Sequence, residues 1–421
     1  MLKVVAPMQS VVVRFEVDED ETVKKGQPLV ILEAMKMEHV ISADQAGVVK
    51  KLVGKTGSTV AKGQLLLKLE EGGAAEQEEP HTEEAAAAEA REDLAAFLAR
   101  RAAGLDENRP DAVARRRKTG QRTARENVAD LVDEGTFVEY GALVIAAQRQ
   151  RRSVEDLIVR TPADGLVAGI GDVNGELFDE ADARCVVMSY DYTVLAGTQG
   201  AMNHYKKDRM FELAETLRRP VVLFTEGGGG RPGDTDTAQI AGLDTRAFEF
   251  FGRLSGLVPL VGINSGRCFA GNAALLGCCD VVIATKASNI GMGGPAMIEG
   301  GGLGVYKPEE VGPSDVQWSN GVIDILVDDD VQAVAVAKQY LSYFQGPVET
   351  WTVPDQEALR NCVPENRLRI YDVRKVIDTI ADTDSVLELR GGFGSPMVTA
   401  LGRIEGRPVS YTHLRAHETS L

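Results

Sequence analysis

The sequence predicts a small all-β sandwich followed by a larger layered α/β domain. Three observations carry this expectation: an internal repeat within the first seventy residues, an acidic Gly/Ala/Glu stretch directly after it, and a strand–helix–strand–helix alternation from Arg184 onward.

The repeat runs Thr22-Val23-Lys24-Lys25-Gly26-Gln27-Pro28-Leu29-Val30-Ile31-Leu32-Glu33 and returns as Thr59-Val60-Ala61-Lys62-Gly63-Gln64-Leu65-Leu66-Leu67-Lys68-Leu69-Glu70. Each copy has short β-rich runs punctuated by a Lys-Gly turn. Two halves of about 35 residues predict a quasi-symmetric sandwich. Residues 71–84 are Gly, Ala, Glu and Gln with one Pro, the composition of a disordered linker. Residues 85–103 turn Ala-rich, with Leu94, Phe97 and Leu98 at helical spacing, and Asp106–Pro110 breaks that helix. Beyond it, 122–134 reads as an amphipathic helix ending near Gly135. Val186–Tyr190, Val221–Thr225, Val258–Ile263 and Val281–Ala284 read as strands, with helices at Met202–Leu217 and around Ala273–Leu276.

At 421 residues the chain holds two to four domains, at ~100–200 residues each. A formal charge of −17 excludes nucleic acid and anionic membrane surfaces as partners, although part of it sits in 70–84. The five cysteines contain no Cys-x-x-Cys pair, so no metal site is expected. Their odd number fits a reducing cytosol, and no signal peptide or membrane-length apolar run is present, which places the chain in the cytoplasm.

Midway between the repeated halves stands Ala34-Met35-Lys36-Met37. The symmetric sandwich puts Lys36 on an exposed hairpin tip, flanked by Met35 and Met37. Acylation there converts an ammonium into a neutral amide that can enter a buried pocket without desolvating a charge. This segment resembles the biotin carboxyl carrier family across residues 3–70, with Ala6-Pro7-Met8 as a further match. The resemblance implies biotin bound covalently to Lys36.

Two glycine-rich turns follow predicted strands. Glu226-Gly227-Gly228-Gly229-Gly230-Arg231 exposes backbone N–H groups to an oxyanion, and Ser265–Asn272 opens a helix whose first N–H groups are unpaired. Gly291-Met292-Gly293-Gly294-Pro295 and Gly300-Gly301-Gly302 could line the same pocket. Here residues 115–409 resemble the carboxyltransferase components of biotin-dependent acyl-CoA carboxylases, which have a crotonase-like fold. The motifs are Thr123-Ala124-Arg125-Glu126, the Gly227–Arg231 turn, Ala270-Gly271-Asn272, Pro364-Glu365-Asn366 and Tyr371-Asp372-Val373-Arg374. The family often has Ser-Gly-Gly-Ala-Arg at the first turn and Ala-Gly-Gly at the second.

The resemblance implies transfer of a carboxyl group from carboxybiotin to the α-carbon of an acyl-CoA, the biotin ureido anion serving as base. It assigns the enolate hole to backbone amides at Gly229, Gly230, Gly271 and Asn272. Lys206, Lys207, Arg209 and Arg231 are candidates for coenzyme A phosphates, and His204 is expected on a helix surface. ATP, Mg and bicarbonate would enter only through a biotin carboxylase outside this chain, Lys36 would be loaded by a biotin protein ligase, and the transferase would be a homo-oligomer. The order carrier-then-transferase resembles the single-chain multidomain bacterial enzymes, which would make the chain a fragment. The expected boundaries are 1–70 carrier, 71–114 linker with a short helix, 115–348 first transferase domain, 349–409 start of a second, and 410–421 a non-native tail. Three rivals remain open: a biotin-dependent decarboxylase component, a carrier without transferase activity, and a hydratase built on Glu226 and Glu299.

Overall fold

The computed structural model describes residues 1–34, 36–70, 91–236, 245–366 and 368–414. The chain divides into two compact units, Met1–Glu89 and Ala90–Leu421.

The first unit is a β-sandwich of β1 (Leu2–Val5), β2 (Ser10–Phe15), β3 (Thr22–Val23), β4 (Pro28–Ala34), β5 (Met37–Ser42), β6 (Gly47–Leu52), β7 (Thr59–Val60) and β8 (Leu65–Glu70). One sheet runs β1-β8-β6-β3 and the other β5-β4-β2-β7. Advancing every label by four turns one order into the other, so the sequence repeat is a structural two-fold. The turns repeat as well. Gly26 and Gly63 both adopt positive φ, at 84° and 81°. Gln27 returns its side-chain Oε1 to the Lys24 N–H at 3.0 Å, and Gln64 does the same to Ala61 at 2.9 Å. Gly26 donates to Ala43 O, and Gly63 to Ala6 O. Val23, Leu29, Leu32, Val60, Leu66 and Leu67 are almost fully buried between the sheets.

The second unit opens with α1 (Glu92–Ala102), a 3₁₀ turn at Asp106–Asn108, α2 (Pro110–Arg117) and α3 (Ala124–Leu131). Next come β9 (Val138–Glu139), α4 (Val154–Arg160), β10 (Leu166–Asp172), α5 (Glu180–Ala183), β11 (Arg184–Tyr190), α6 (Ala201–Leu217) and β12 (Val221–Phe224). They are followed by α7 (Ala247–Arg253), β13 (Leu260–Asn264), β14 (Arg267–Phe269), α8 (Gly271–Leu276), β15 (Val281–Thr285) and β16 (Asn289–Gly291). Then come α9 (Pro295–Gly300), α10 (Ser314–Ser319), β17 (Ile325–Val327), α11 (Asp330–Gln345), α12 (Leu359–Cys362), α13 (Val373–Ile380), β18 (Leu387–Leu389), β19 (Met397–Ile404) and β20 (Arg407–Leu414).

The main sheet has the order β17-β15-β13-β12-β11-β10-β9, parallel from β11 to β17 and antiparallel at β10 and β9. Its strands are apolar on both faces. Cys185, Val187, Val222, Val261 and Ile263 face a core shared with α3 and α11, while Val186, Met188, Leu223 and Leu260 face one shared with α6 and α7. This two-sided burial is what a parallel sheet with crossover helices requires. A short second sheet pairs β14 with β16, and Gly227 bridges to Cys268 beside it.

Several sequence expectations shift. Helix α3 starts with a capping box between Thr123 and Glu126 and ends at Leu131, because Val132 is already extended. Strand β13 begins after Pro259 rather than at Val258, whose N–H still bonds back to Leu254. Ser265–Asn272 is not a direct strand-to-helix turn, since β14 intervenes. The linker at 71–84 lies outside the described residues. The expected tail at 410–421 is entered by β20, which pairs with β19 as far as Leu414, and 415–421 lie outside the described residues. Among the described residues no helix is long and apolar enough to cross a membrane.

Candidate active site

In the first unit, β4 and β5 form a hairpin closed by the pair Ala34 and Met37. The two residues at its tip are Met35, which lies outside the described residues, and Lys36, which is exposed with φ 66°. Met37 is 64% exposed, and the next pair down the hairpin is Glu33 with Glu38. Among the described residues none accepts from the Lys36 amine. A two-residue tip needs a left-handed residue, and that geometry throws the lysine clear of both sheets. An exposed, unengaged primary amine on a rigid ladder fits covalent attachment of biotin.

In the second unit the two glycine turns lie side by side. The Gly229 N–H donates to Asn272 Oδ1 at 3.1 Å, and Asn272 Nδ2 donates to Gly197 O at 3.3 Å and Thr225 O at 3.1 Å. Asn272 is fully buried. One side chain therefore ties the end of β12, its following turn, the Leu195–Gly197 turn and the start of α8. Gly229 has φ 86°, and a Cβ on it would lie 2.7 Å from the Ala270 Cβ. A Cβ on Gly227 would lie 2.2 Å from Gly197 O, so both positions demand glycine. Gly230 has open space around its Cβ position.

Of the four expected hole residues, Gly229 has its N–H committed to Asn272. Among the described residues no acceptor is found for the N–H groups of Gly230, Gly271 and Asn272, the last two being the first residues of α8. Gly291 joins this cluster, its carbonyl accepting from Ala270 N at 3.0 Å, and Gly294 packs on the Phe269 ring. Among the described residues no contact brings Gly300–Gly302 there.

Behind the turns lies a polar layer that the sequence reading missed. Gln199 exchanges backbone hydrogen bonds with Gly229 and Arg231, and its Nε2 donates to Asn272 Oδ1 at 3.3 Å. Arg231 is buried against Asp164 and Asp234 and also donates to Thr198 O at 2.9 Å. Burial raises the Asp164 carboxyl pKa against the pull of Arg231. Asn203 reaches Asp164 O and Thr198 O.

The expected phosphate ligands are corrected by this arrangement. Lys206, Lys207 and Arg231 are 7%, 0% and 4% exposed and are spent on internal partners; Arg209 alone faces solvent. Amphipathic reading places lysines outside, but α6 is sandwiched where those side chains meet carbonyls and hydroxyls. His204 is half-buried rather than open to solvent, and burial, then Lys207 and Arg231, lower its pKa to about 3. A different set of cations lines a groove formed by Arg109, Arg115, Arg152 and Arg160 with Leu195 in its wall. Leu195 lies two residues before Gly197, in the turn that Asn272 holds.

The Glu226–Glu299 pair does not assemble. Glu226 is buried in an ion pair with Arg116, and Glu299 is exposed. All five cysteines are free thiols.

Residues 115–411 match the carboxyl transferase domain, and residues 2–69 the biotin-requiring enzyme family. The 12S subunit of methylmalonyl-CoA carboxyltransferase from Propionibacterium freudenreichii is 30% identical over 70% of this chain and 56% of its own length. The beta4 subunit of a biotin-dependent long chain acyl-coenzyme A carboxylase from Mycobacterium tuberculosis is 30% identical over 71% of this chain and 56% of its own. A solved single-chain, multi-domain long-chain acyl-CoA carboxylase superposes with a TM-score of 0.77 at 53% identity, over 99% of this chain and 40% of that one. The transcarboxylase 12S hexamer gives 0.63 at 28% identity, over 77% of this chain and 61% of that one. The chain thus spans little more than half the length of these curated relatives.

Proposed function

The chain belongs to the carboxyl transferase family, and from that premise we propose that it carries biotin on Lys36 and transfers a carboxyl group to the α-carbon of an acyl-CoA. The observation that carries this reading is the joining of the two glycine turns through the buried Asn272 side chain, in one chain with an exposed hairpin lysine; among the described residues the N–H groups of Gly230, Gly271 and Asn272 have no acceptor. Biotin, when attached, supplies the transferable carboxyl group and the base for the α-proton. The protein's own task is to hold the thioester and stabilise the negative oxygen that develops as the α-proton leaves.

Gly230, Gly271 and Asn272 supply donors for that oxygen, fixed before substrate arrives because Asn272 and Gln199 lock both turns. Met37, next to the attachment lysine and 64% exposed, presents a polarisable apolar surface to whatever receives the tip. The arginine groove takes the coenzyme A phosphates; Arg115 is exposed with no acidic partner among the described residues, and Arg152 and Arg160 share the single carboxylate of Asp156. A biotin protein ligase would load Lys36, a biotin carboxylase would supply the carboxyl group from bicarbonate and ATP, and the transferase half would work as a homo-oligomer. Acyl-CoAs of acetyl, propionyl or longer chain are the substrate class. A reducing cytoplasm suits five unpaired thiols.

The test is Gly271→Pro. Proline is tolerated as the first helical residue but has no N–H to donate. Carboxyl transfer should fall by ~10²-fold or more, the scale of one lost hole donor. Full transfer by a folded variant would overturn the assignment. Decarboxylation of the product without ATP, in place of ATP-dependent carboxylation, would favour the reverse reaction.

A further inference from the structure

Lys207 is the largest fully buried side chain in the described structure, and nothing in the reaction proposed above uses it. Its Nζ donates to the Tyr190 hydroxyl at 2.8 Å and to Gln199 Oε1 at 2.9 Å. The Gln199 amide is thereby oriented: with Oε1 held by an ammonium, Nε2 must face the other way, and it meets Asn272 Oδ1. That oxygen in turn accepts the Gly229 N–H. Gly271 sits against the same glutamine, a Cβ there falling 3.1 Å from Nε2. The Gln199 amide and the Gly229 N–H thus converge as donors on one Asn272 oxygen, which ties the buried cation to both turns of the hole.

We infer that Lys207 is a positioning residue for carboxyl transfer: its ammonium sets the orientation of Gln199 and Asn272 and lends positive potential to the oxygen held by Gly230, Gly271 and Asn272. The inference rests on the carboxyltransferase reading and deepens it. A buried cation is costly, since desolvation opposes it. Out of contact with bulk water, the same charge is less screened toward a nearby developing anion. An apolar residue of similar size would fill this space without that cost, so the charge calls for a use.

The groups facing Lys207 come from every element around it. Tyr190 stands on β11, Asp208 and His204 on α6, Asp164 before β10 and Arg231 beyond the glycine turn. Burial is the largest influence and lowers the Lys207 pKa to about 7, with Asp208 and Asp164 opposing and Arg231 assisting. His204 stays neutral, so it does not compete. The polarising charge is therefore full in mild acid and fades as pH rises past neutrality.

The experiment reads the thioester carbonyl stretch of a ¹³C-labelled acyl-CoA bound to the full chain, by isotope-edited infrared difference spectroscopy, with binding measured in parallel. The wild type should lower this frequency, and the lowering should fade between about pH 6 and about pH 8.5. Lys207→Met should keep acyl-CoA affinity within about twofold, lose at least half of the lowering, and lose its pH dependence. Tyr190→Phe removes one acceptor of the ammonium without touching the turns, so the fading should move to lower pH; it decides the matter if Lys207→Met does not fold. A lowering that is independent of pH in the wild type, or unchanged in Lys207→Met or Tyr190→Phe with acyl-CoA still bound, would overturn the inference and leave the carboxyltransferase reading standing. A wild type that binds no acyl-CoA would overturn both.

Discussion

Asn272 and Gly229 stand 43 residues apart in sequence, yet the side-chain oxygen of one holds the backbone N–H of the other at 3.1 Å. The two glycine turns of the hole are therefore a single hydrogen-bonded object. Its geometry depends on a buried amide as much as on the glycines themselves.

Asn272→Ala should destabilise the second unit by about 2–4 kcal/mol, because it strands the Gly229 N–H and two buried carbonyls. Chemical denaturation measures this. Transfer activity of the residual folded protein should drop by ~10²-fold, through loss of turn geometry rather than of a donor.

Gly229→Ala and Gly230→Ala should behave differently although they are neighbours. Gly229 combines positive φ with a 2.7 Å approach to Ala270, so alanine there should cost roughly 1–3 kcal/mol. Alanine at Gly230 meets no protein atom and should leave stability within about 0.5 kcal/mol. Equal losses at both sites would contradict the described turn.

Lys36→Ala should leave the melting temperature of the chain within about 2 °C, since the side chain is exposed and has no hydrogen-bond or ion-pair partner among the described residues. Co-expression with a biotin ligase followed by intact-mass measurement should show the biotin increment on the wild type and none on the variant.

Stability should depend on pH through Lys207. Burial lowers its pKa from 10.5 to about 7 in the folded chain. Between these values the unfolded chain binds a proton that the folded chain does not. Wild-type stability should therefore rise with pH relative to Lys207→Met, by up to ~1.4 kcal/mol per unit from about pH 7 to about pH 10, and run parallel to it below pH 7. Denaturation of both proteins across this range gives the slope.

Arg115→Ala should raise KM for acyl-CoA several-fold with little change in kcat, and the effect should shrink at high salt, as expected for an exposed cation facing phosphates. An unchanged KM at low salt would move the phosphate site elsewhere.

The sequence made the architecture legible where pattern and physics coincide. The Lys-Gly repeat disclosed the sandwich because each turn needs a left-handed glycine and a glutamine to cap it. The apolar runs ending in Tyr190, Thr225, Ile263 and Ala284 disclosed the main sheet. The hole was half legible: glycine marked where backbone approaches backbone, but not which N–H stays unengaged. Gln199, Asp164 and Lys207 were illegible, because a polar residue's burial is decided by long-range partners that leave no periodic trace. Strand β14 was missed for another reason, being three residues long inside a stretch that reads as turn.

The four-label shift that maps one sheet of the sandwich onto the other has an evolutionary corollary. Each half lends two strands to either sheet, so an isolated half has no closed hydrophobic interior of its own. An ancestral peptide of that length could have folded only by wrapping around a twin. The connection between Ala34 and Met37 is then the splice that fused such twins, and the attachment lysine occupies the seam.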